Sequence, residues 1–274
     1  AYIPPTIAGM VLIFRKKYLL GGLLTAFFVA MQINSNHIQM SYYFLIVMLA
    51  MYIAYGIMAR KQQEMSHFLK ATSVLALAGI LGICINLSNL FHTYEYSKES
   101  MRGKSELVKA NSANQTDSGL ERDYITQWSY GIGETFTLLV PNTKGGASVP
   151  LAMNEKAMEK ANPMYMNIYR QIGQYWGEQP GTSGPVYVGA FVMFLFVLGL
   201  FIVKGPMKWA LLVATILSIL LSWGKNFMGF TDFFIDYIPM YSKFRTVSSI
   251  LVVAEFTIPL LAMLALKEWV ERPQ

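Results

Sequence analysis

The chain carries its apolar residues in blocks of helix length, and this feature limits most strictly what it can fold into. A helix needs about 20 apolar residues to cross the hydrocarbon core of a membrane. Six stretches approach that length: 18–33, 38–58, 71–91, 186–203, 209–223 and 247–266. Residues 1–14 form a shorter seventh. With 54% hydrophobic and 14% charged residues, the chain has too little polar surface for a soluble globule. The sequence predicts an all-α polytopic membrane protein with about seven transmembrane helices, forming one domain over residues 1–274.

Basic residues in alternate short connections predict the orientation. Short cytoplasmic connections carry an excess of Lys and Arg, and ten such residues face only three acids, Glu64, Glu268 and Glu271, on one side. The ten are Arg15, Lys16, Lys17, Arg60, Lys61, Lys70, Lys204, Lys208, Lys267 and Arg272. This side is therefore predicted to be cytoplasmic, with the C-terminus on it, in a bacterial inner membrane. The net charge of +6 is then a topology signal, and no nucleic-acid partner is predicted.

One outer connection is far longer than the others. Residues 92–185 are predicted to form a periplasmic or extracellular loop between the fourth and fifth helices. Within it, apolar residues recur every three or four positions over residues 154–176, and Asn162 before Pro163 is typical of a helix start. The loop is predicted to contain two short helices that lie along the outer membrane surface, and their packing onto the loop's own core is an equal alternative.

Lys225, Lys243 and Arg245 are basic residues on the predicted outer side, against the usual distribution. One explanation is that they bind a lipid phosphate at headgroup depth. The alternative is that they pair with nearby carboxylates and extend towards the membrane interface. The carboxylates in question are Asp232, Asp236 and Glu255.

Two further polar positions lie where burial in a membrane is costly. Glu255 is some eight residues inside the last apolar block, where an unpaired charge costs a few kcal/mol. It is predicted to face protein or water and to carry a proton or orient Arg245, unless it is a neutral carboxyl group bonded to a neighbouring helix. His37 lies among Asn and Gln residues at an outer helix junction, which suits a hydroxylated or phosphorylated head group. A simple polar hairpin is the alternative.

Aromatic residues in the outer loop are candidates for sugar or lipid contacts. Trp128, Tyr130 and Trp176 could stack on sugar rings, although aromatic residues also form the interfacial belt of membrane proteins. Glu134, beside glycines in the same loop, is a weak candidate for acid or base catalysis. Three histidines and one cysteine in no recognisable ligand pattern predict that no transition metal is bound by the protein.

Four segments together resemble the YfhO-like family of large bacterial membrane proteins, and the resemblance spans nearly all of the chain. They are NSNHIQMSYYFL, QWSYGIGETFTLLVPNTKGGAS, QYWGEQPGTSGPVYVG and PMYSKFRTVSSILVVAEF. The resemblance implies a central portion of a longer member from the Bacteroidetes lineage. It also implies membership of the C-type glycosyltransferase superfamily, whose enzymes transfer a sugar from a polyprenyl-phosphate donor to an envelope glycan or polymer at the outer face.

The resemblance assigns roles to some residues and leaves others open. Lys243 and Arg245 in YSKFR would bind the phosphate of the donor, and Tyr241 and Phe244 would flank its lipid or sugar. The family's catalytic acid usually lies in a first outer loop that this chain lacks, so the catalytic residue is unknown. Some members of the superfamily use a divalent cation and others do not, and no recognisable motif for one is present.

Two other functions remain open on the sequence alone. A transporter or flippase would use Glu255 and the basic residues, and would show inverted repeats, which are not visible. A non-catalytic subunit of a larger membrane complex would use the long loop and its apolar helices as a docking surface.

Overall fold

The computed structural model describes residues 2–100, 102–103, 114–116 and 119–271. Most of them are helical, which confirms the all-α part of the predicted fold class. The first four helices are α1 (Ile3–Phe14), α2 (Tyr18–Asn34), α3 (Ile38–Gln62) and α4 (Met65–Cys84). Each connection contains one residue in the left-handed conformation, namely Lys16, Asn36 and Gln63. Such a residue ends a helix abruptly, so the chain reverses within a few residues.

The second half of the chain builds a second group of helices. Leu211, Ile250 and Leu261 are fully buried in its core. The second group comprises α9 (Ala190–Ile202), α10 (Met207–Ser222), α11 (Met228–Tyr237) and α12 (Val252–Glu271). The last helix, α12, packs on α9, on α10 and on α3, and α10 also packs on α3. A shorter helix, α5 (Leu87–Lys98), follows α4 earlier in the chain.

Only some of these helices have the length of a membrane crossing. Within the described residues, three are long and apolar enough to span a bilayer: Ile38–Gln62, Met65–Cys84 and Val247–Glu271. The third includes a 3-10 turn ahead of α12. The number becomes four when α10 and the bent continuation into α11 are taken as one span. The sequence predicted about seven crossings, and the remaining apolar helices, α1, α2 and α9, are shorter than 18 residues.

A sharp bend separates α10 from α11. The two helical segments meet at 108°, and Gly224 lies at the break with φ +46°. A Cβ there would lie 2.1 Å from Oγ of Ser129. Residue 224 therefore needs glycine both for its left-handed backbone and for the close approach of the outer loop.

The outer loop is more compact than a pair of surface helices. Asn162 caps a helical turn, as predicted, because its side chain accepts a hydrogen bond from the Met164 amide at 3.0 Å. The helical pieces are very short, and residues 173–175 form a strand instead of the predicted helix because they pair antiparallel with residues 145–150. The loop elements are α6 (Arg122–Thr126), β1 (Gly145–Pro150), α7 (Glu155–Met158), α8 (Met166–Tyr169) and β2 (Gly173–Tyr175).

Backbone hydrogen bonds attach the loop to the outer ends of the late helices. Leu120 donates to the carbonyl of Ser242 at 3.0 Å, and Tyr130 donates to that of Ser222 at 2.8 Å. Ser248 in turn donates to the carbonyl of Trp128 at 3.1 Å. The loop therefore lies directly over the segment that contains Lys243 and Arg245.

Candidate functional site: a basic segment beside the long loop

Residues 240–246, here named the basic segment, have an unusual backbone at both ends. Met240 has φ +67° and Thr246 has φ +63°. The left-handed region is uncommon for residues other than glycine and is a genuine outlier for a β-branched one such as Thr. Strained residues of this kind cluster at binding and active sites. The segment holds the only two basic residues of the last outer connection besides Lys225.

Arg245 is exposed and fixed in position without a carboxylate partner. Its Nη1 donates to the hydroxyl of Tyr124 at 2.6 Å, and its guanidinium carbon lies 5.7 Å from the centre of that ring. Its backbone carbonyl accepts a hydrogen bond from Gln39 Nε2 at 2.6 Å. Among the described residues, Arg245 makes no ion pair, so its charge is available to an external anion.

Lys243 lies two residues before Arg245 in the sequence and is partly buried. Its Nζ donates to the carbonyl of Arg102, and Nε of Arg102 donates back to the carbonyl of Lys243 at 3.0 Å. Burial lowers the pKa of Lys243. The next residue, Phe244, packs its ring 5.1 Å from that of Tyr42 at the start of α3. The basic segment is thus held from both sides.

The nearby carboxylates pair with a residue that the sequence analysis did not single out. Arg122 forms ion pairs with Asp232 and, at 2.6 Å, with Asp236. Asp232 and Asp236 are four residues apart on α11, and that spacing places both side chains on one helix face. In the sequence, this spacing could have indicated that the two carboxylates share one basic partner. The alternative pairing with Lys225, Lys243 or Arg245 is therefore not found, because Arg122 takes both carboxylates.

The structure places the other predicted polar residues differently. Gln39 contacts the basic segment. His37, the N-cap residue of α3, is exposed. Lys225 is exposed and donates its backbone amide to Ser129 Oγ at 2.9 Å. Glu255 is exposed on α12 and makes no hydrogen bond or ion pair with any residue that the structure describes. It therefore does not orient Arg245.

Glu134 lies in a second polar cluster, here named the loop core: Tyr130, Glu134, Thr137, Tyr175 and Gln179. Its side chain is only 3% exposed. Oε1 accepts from the Tyr175 hydroxyl at 2.5 Å, and Oε2 accepts from the amides of Gly131 at 2.7 Å and Glu178 at 3.3 Å. Three donors leave this carboxylate little capacity for a substrate.

Neutral phenols complete the loop core. The Tyr130 hydroxyl is hydrogen-bonded to that of Thr137. Burial raises the pKa of Tyr130 to about 12. Burial, followed by the hydrogen bond to Glu134, raises the pKa of Tyr175 to about 12. The cavity beside these groups measures about 10 Å³, which is the space of one water molecule. It does not accommodate a sugar.

A chain of hydrogen bonds joins the loop core to the basic segment. The backbone amide of Gln179 donates to the Tyr175 hydroxyl at 3.0 Å. The Ser248 hydroxyl donates to Oε1 of Gln179 at 3.0 Å. Because Ser248 is two residues beyond Thr246, the loop core holds the segment from above.

The predicted aromatic contacts differ in how much ring surface they expose. Tyr130 and Tyr241 are each 2% exposed, so neither ring is open to a sugar or lipid. The Tyr241 hydroxyl is buried without a hydrogen-bond partner among the described residues. Trp128 is partly buried and donates from Nε1 to the Gly181 carbonyl at 3.2 Å. Trp176 is 71% exposed and is the best placed of the four for an external contact.

Comparison with protein-family models, curated proteins and solved structures finds no match to the chain. The resemblance to the YfhO-like family therefore stays a prediction. Within the described residues, no three or more His, Cys, Asp or Glu side chains are grouped so that they could hold a metal ion.

Proposed function

We propose that this protein transfers a sugar from a polyprenyl-phosphate donor to an envelope glycan or polymer at the outer face of a bacterial inner membrane. The observation that carries the proposal is Arg245. It is an exposed guanidinium, oriented by Tyr124 and free of carboxylates, in a strained segment at the start of a membrane-length helix. A guanidinium in that setting suits a lipid-linked phosphate.

The proposal includes seven crossings, with residues 92–185 outside and the C-terminus in the cytoplasm. The bent pair is one crossing, and α1, α2 and α9 are the shorter ones. At about 1.5 Å per residue, the 17 residues of α2 extend about 26 Å, close to the hydrocarbon thickness of about 30 Å. Lys16 between α1 and α2 pairs with Glu64 between α3 and α4 at 2.8 Å, so these two connections share one side, which supports this arrangement.

In this mechanism the basic segment binds the leaving group. The acceptor hydroxyl oxygen forms a bond to the anomeric carbon as the bond from that carbon to the phosphate oxygen breaks. The hydroxyl proton passes to a base, and negative charge develops on the polyprenyl phosphate. Arg245 and Lys243 stabilise that charge, while Tyr124 holds the guanidinium in place. Glu134 is assigned to the folding of the loop because its hydrogen bonds are satisfied internally. The base that activates the acceptor is not assigned.

The test is donor binding and transfer by Arg245→Ala. The full chain in lipid nanodiscs is titrated with a short polyprenyl phosphate, and transfer is followed with the corresponding sugar-loaded donor. Loss of a charge-assisted contact is expected to weaken binding about tenfold. Arg60→Ala, an exposed arginine on the predicted opposite side, is the matched control. Equal affinity in the two variants would remove the phosphate site from Arg245.

A transporter or flippase is the second candidate, and Glu255 favours it. An exposed carboxylate without a partner on a membrane-length helix is typical of proton or substrate pathways. Under this alternative, Glu255→Gln abolishes movement of the lipid across a sealed vesicle and leaves the binding of polyprenyl phosphate unchanged. Under the transfer proposal, the same variant retains transfer.

A further inference from the structure

A cavity of about 420 Å³ opens between the end of α3 and the connection that leads into α10. Two of its lining residues are lysines, Lys61 on α3 and Lys208 in the first turn of α10, and the described lining contains no Asp or Glu. Both helix ends are on the side that the charge pattern predicts to be cytoplasmic. The cavity is therefore cationic and lies opposite the basic segment.

The two lysines differ in how they are held. Lys208 Nζ donates to the carbonyl of Leu200 near the end of α9 at 2.6 Å. It also lies 5.4 Å from the centre of the Trp209 ring. The Lys61 side chain is exposed, and no hydrogen bond or ion pair engages it in the described part of the chain. Lys208 thus provides a fixed positive charge, and Lys61 can move to meet a ligand.

The acidic residue that follows α3 does not neutralise this cavity. Glu64, the acid closest to Lys61 in sequence, pairs with Lys16 at 2.8 Å. The first turn of α10 contains no acidic residue. Positive charge without a counter-ion is unfavourable unless solvent or a bound anion compensates it, so the cavity is suited to an anion.

The rest of the wall is apolar. Met58 and Pro206 line the cavity together with Trp209, whose side chain is 55% exposed. Tryptophan at a helix end is typical of the interface between membrane and water. The cavity therefore combines two cations with an apolar wall at headgroup depth, and its volume lies within the range of about 300–1,000 Å³ found for small-molecule sites.

We propose that this cavity binds the phosphate headgroup of an anionic lipid from the cytoplasmic leaflet. The phosphate lies between Lys61 and Lys208, and the glycerol and first acyl carbons lie against Met58 and Trp209. The apolar wall favours a lipid over free phosphate. The site does not depend on sugar transfer, and it would hold the ends of α3 and α10 together.

The experiment measures lipid retention by the full chain in detergent with native mass spectrometry. Dioleoyl phosphatidic acid, dioleoyl phosphatidylcholine and inorganic phosphate are the probes. Phosphatidic acid is expected to be retained in preference to phosphatidylcholine, and Lys61→Ala is expected to lower its apparent affinity about fivefold. Lys61→Arg is expected to restore it. Lys17→Ala, an exposed lysine on the same predicted side that does not line the cavity, is the matched control.

Two results would overturn the proposal. One is equal retention of phosphatidic acid and phosphatidylcholine, and the other is an equal effect of Lys61→Ala and Lys17→Ala. Displacement of the lipid by millimolar inorganic phosphate would overturn the lipid as the source of the phosphate. The Lys61 side chain is exposed and makes no hydrogen bond or ion pair among the described residues, so a change in lipid retention by Lys61→Ala does not reflect unfolding.

Discussion

The loop core and the basic segment lie close together, but they use polar groups in opposite ways. In the loop core, Glu134 and Tyr175 satisfy each other and the surrounding amides, and almost no space is left. In the basic segment, Arg245 is oriented by a neutral phenol and exposed without a counter-ion. A saturated cluster stabilises a fold, whereas an oriented and uncompensated charge is suited to a ligand. We therefore assign a stabilising role to the loop core and a binding role to the basic segment.

The largest expected effect tests the structural half of this comparison. Glu134→Ala leaves the Tyr175 hydroxyl and the amides of Gly131 and Glu178 without their acceptor. Buried donors without partners are costly, and we expect the loop to lose about 3 kcal/mol of stability. Hydrogen exchange at the Tyr130 amide, whose acceptor is the Ser222 carbonyl and not Glu134, measures the loss. Glu178→Ala removes a neighbouring but exposed carboxylate and should change it by less than about 0.5 kcal/mol.

The next effect separates the two arginines of the outer face. Arg122→Ala removes a side chain that pairs with both Asp232 and Asp236. We expect a loss of about 1.5 kcal/mol, because these pairs are only partly exposed and the two carboxylates then repel each other. Thermal unfolding in detergent reports the change. If the losses of Asp232→Asn and Arg122→Ala add up to more than the loss of the double variant, the ion pair explains the difference.

Tyr175→Phe gives a smaller effect with a defined pH dependence. At pH 8 the variant should lose about 1 kcal/mol, because Glu134 loses one hydrogen bond. The pKa of Tyr175 is raised from an ordinary value of 10.0 to about 12 in the folded protein. Its contribution is therefore complete below pH 10 and is lost between about pH 10 and 12.

The difference in melting temperature between wild type and Tyr175→Phe should accordingly shrink over that pH interval. Tyr165→Phe, at a partly exposed tyrosine of the same loop, is the control and should show no such trend. A difference that stays constant from pH 8 to 12 would contradict the hydrogen bond between Tyr175 and Glu134.

The smallest stability effect is expected at the proposed binding residue. Arg245→Ala should change the free energy of unfolding by less than about 0.5 kcal/mol, because the side chain is exposed and bonded to one phenol. Thermal unfolding measured beside Arg122→Ala checks this. A loss as large as that of Arg122→Ala would show that both arginines are structural, and the contrast between the two regions would then disappear.

The sequence predicted the helical class because apolar runs of helix length carry a strong local signal. Asn162 and Pro163 also predicted the start of a helical turn, since capping depends on adjacent residues. The strand pair and the bend at Gly224 were not predicted, because both depend on contacts between residues far apart in the chain. Burial of Tyr130 and Tyr241 has the same origin. Periodicity alone does not tell which aromatic residues the loop will cover.

For the candidate site, the sequence identified the charged residues but not their pairing. Arg245 and Lys243 stood out because they oppose the usual charge distribution. Arg122, in a polar stretch, did not, although it takes the two carboxylates that were considered as partners of Arg245. Tyr124 and Gln39 reach Arg245 from sequence positions 121 and 206 residues away, and no local pattern reports such distances.

The hydrogen bonds between the outer loop and the late helices have a consequence for biosynthesis. The Trp128 carbonyl accepts a hydrogen bond from the amide of Ser248, which is synthesised 120 residues later. The Leu120 amide donates to the carbonyl of Ser242. At a synthesis rate of about 5–20 residues per second, the loop waits on the order of 6–24 seconds for the residues that it packs against. During that time the loop lacks these hydrogen bonds. Its final conformation therefore depends on synthesis of the segment that begins the last helix.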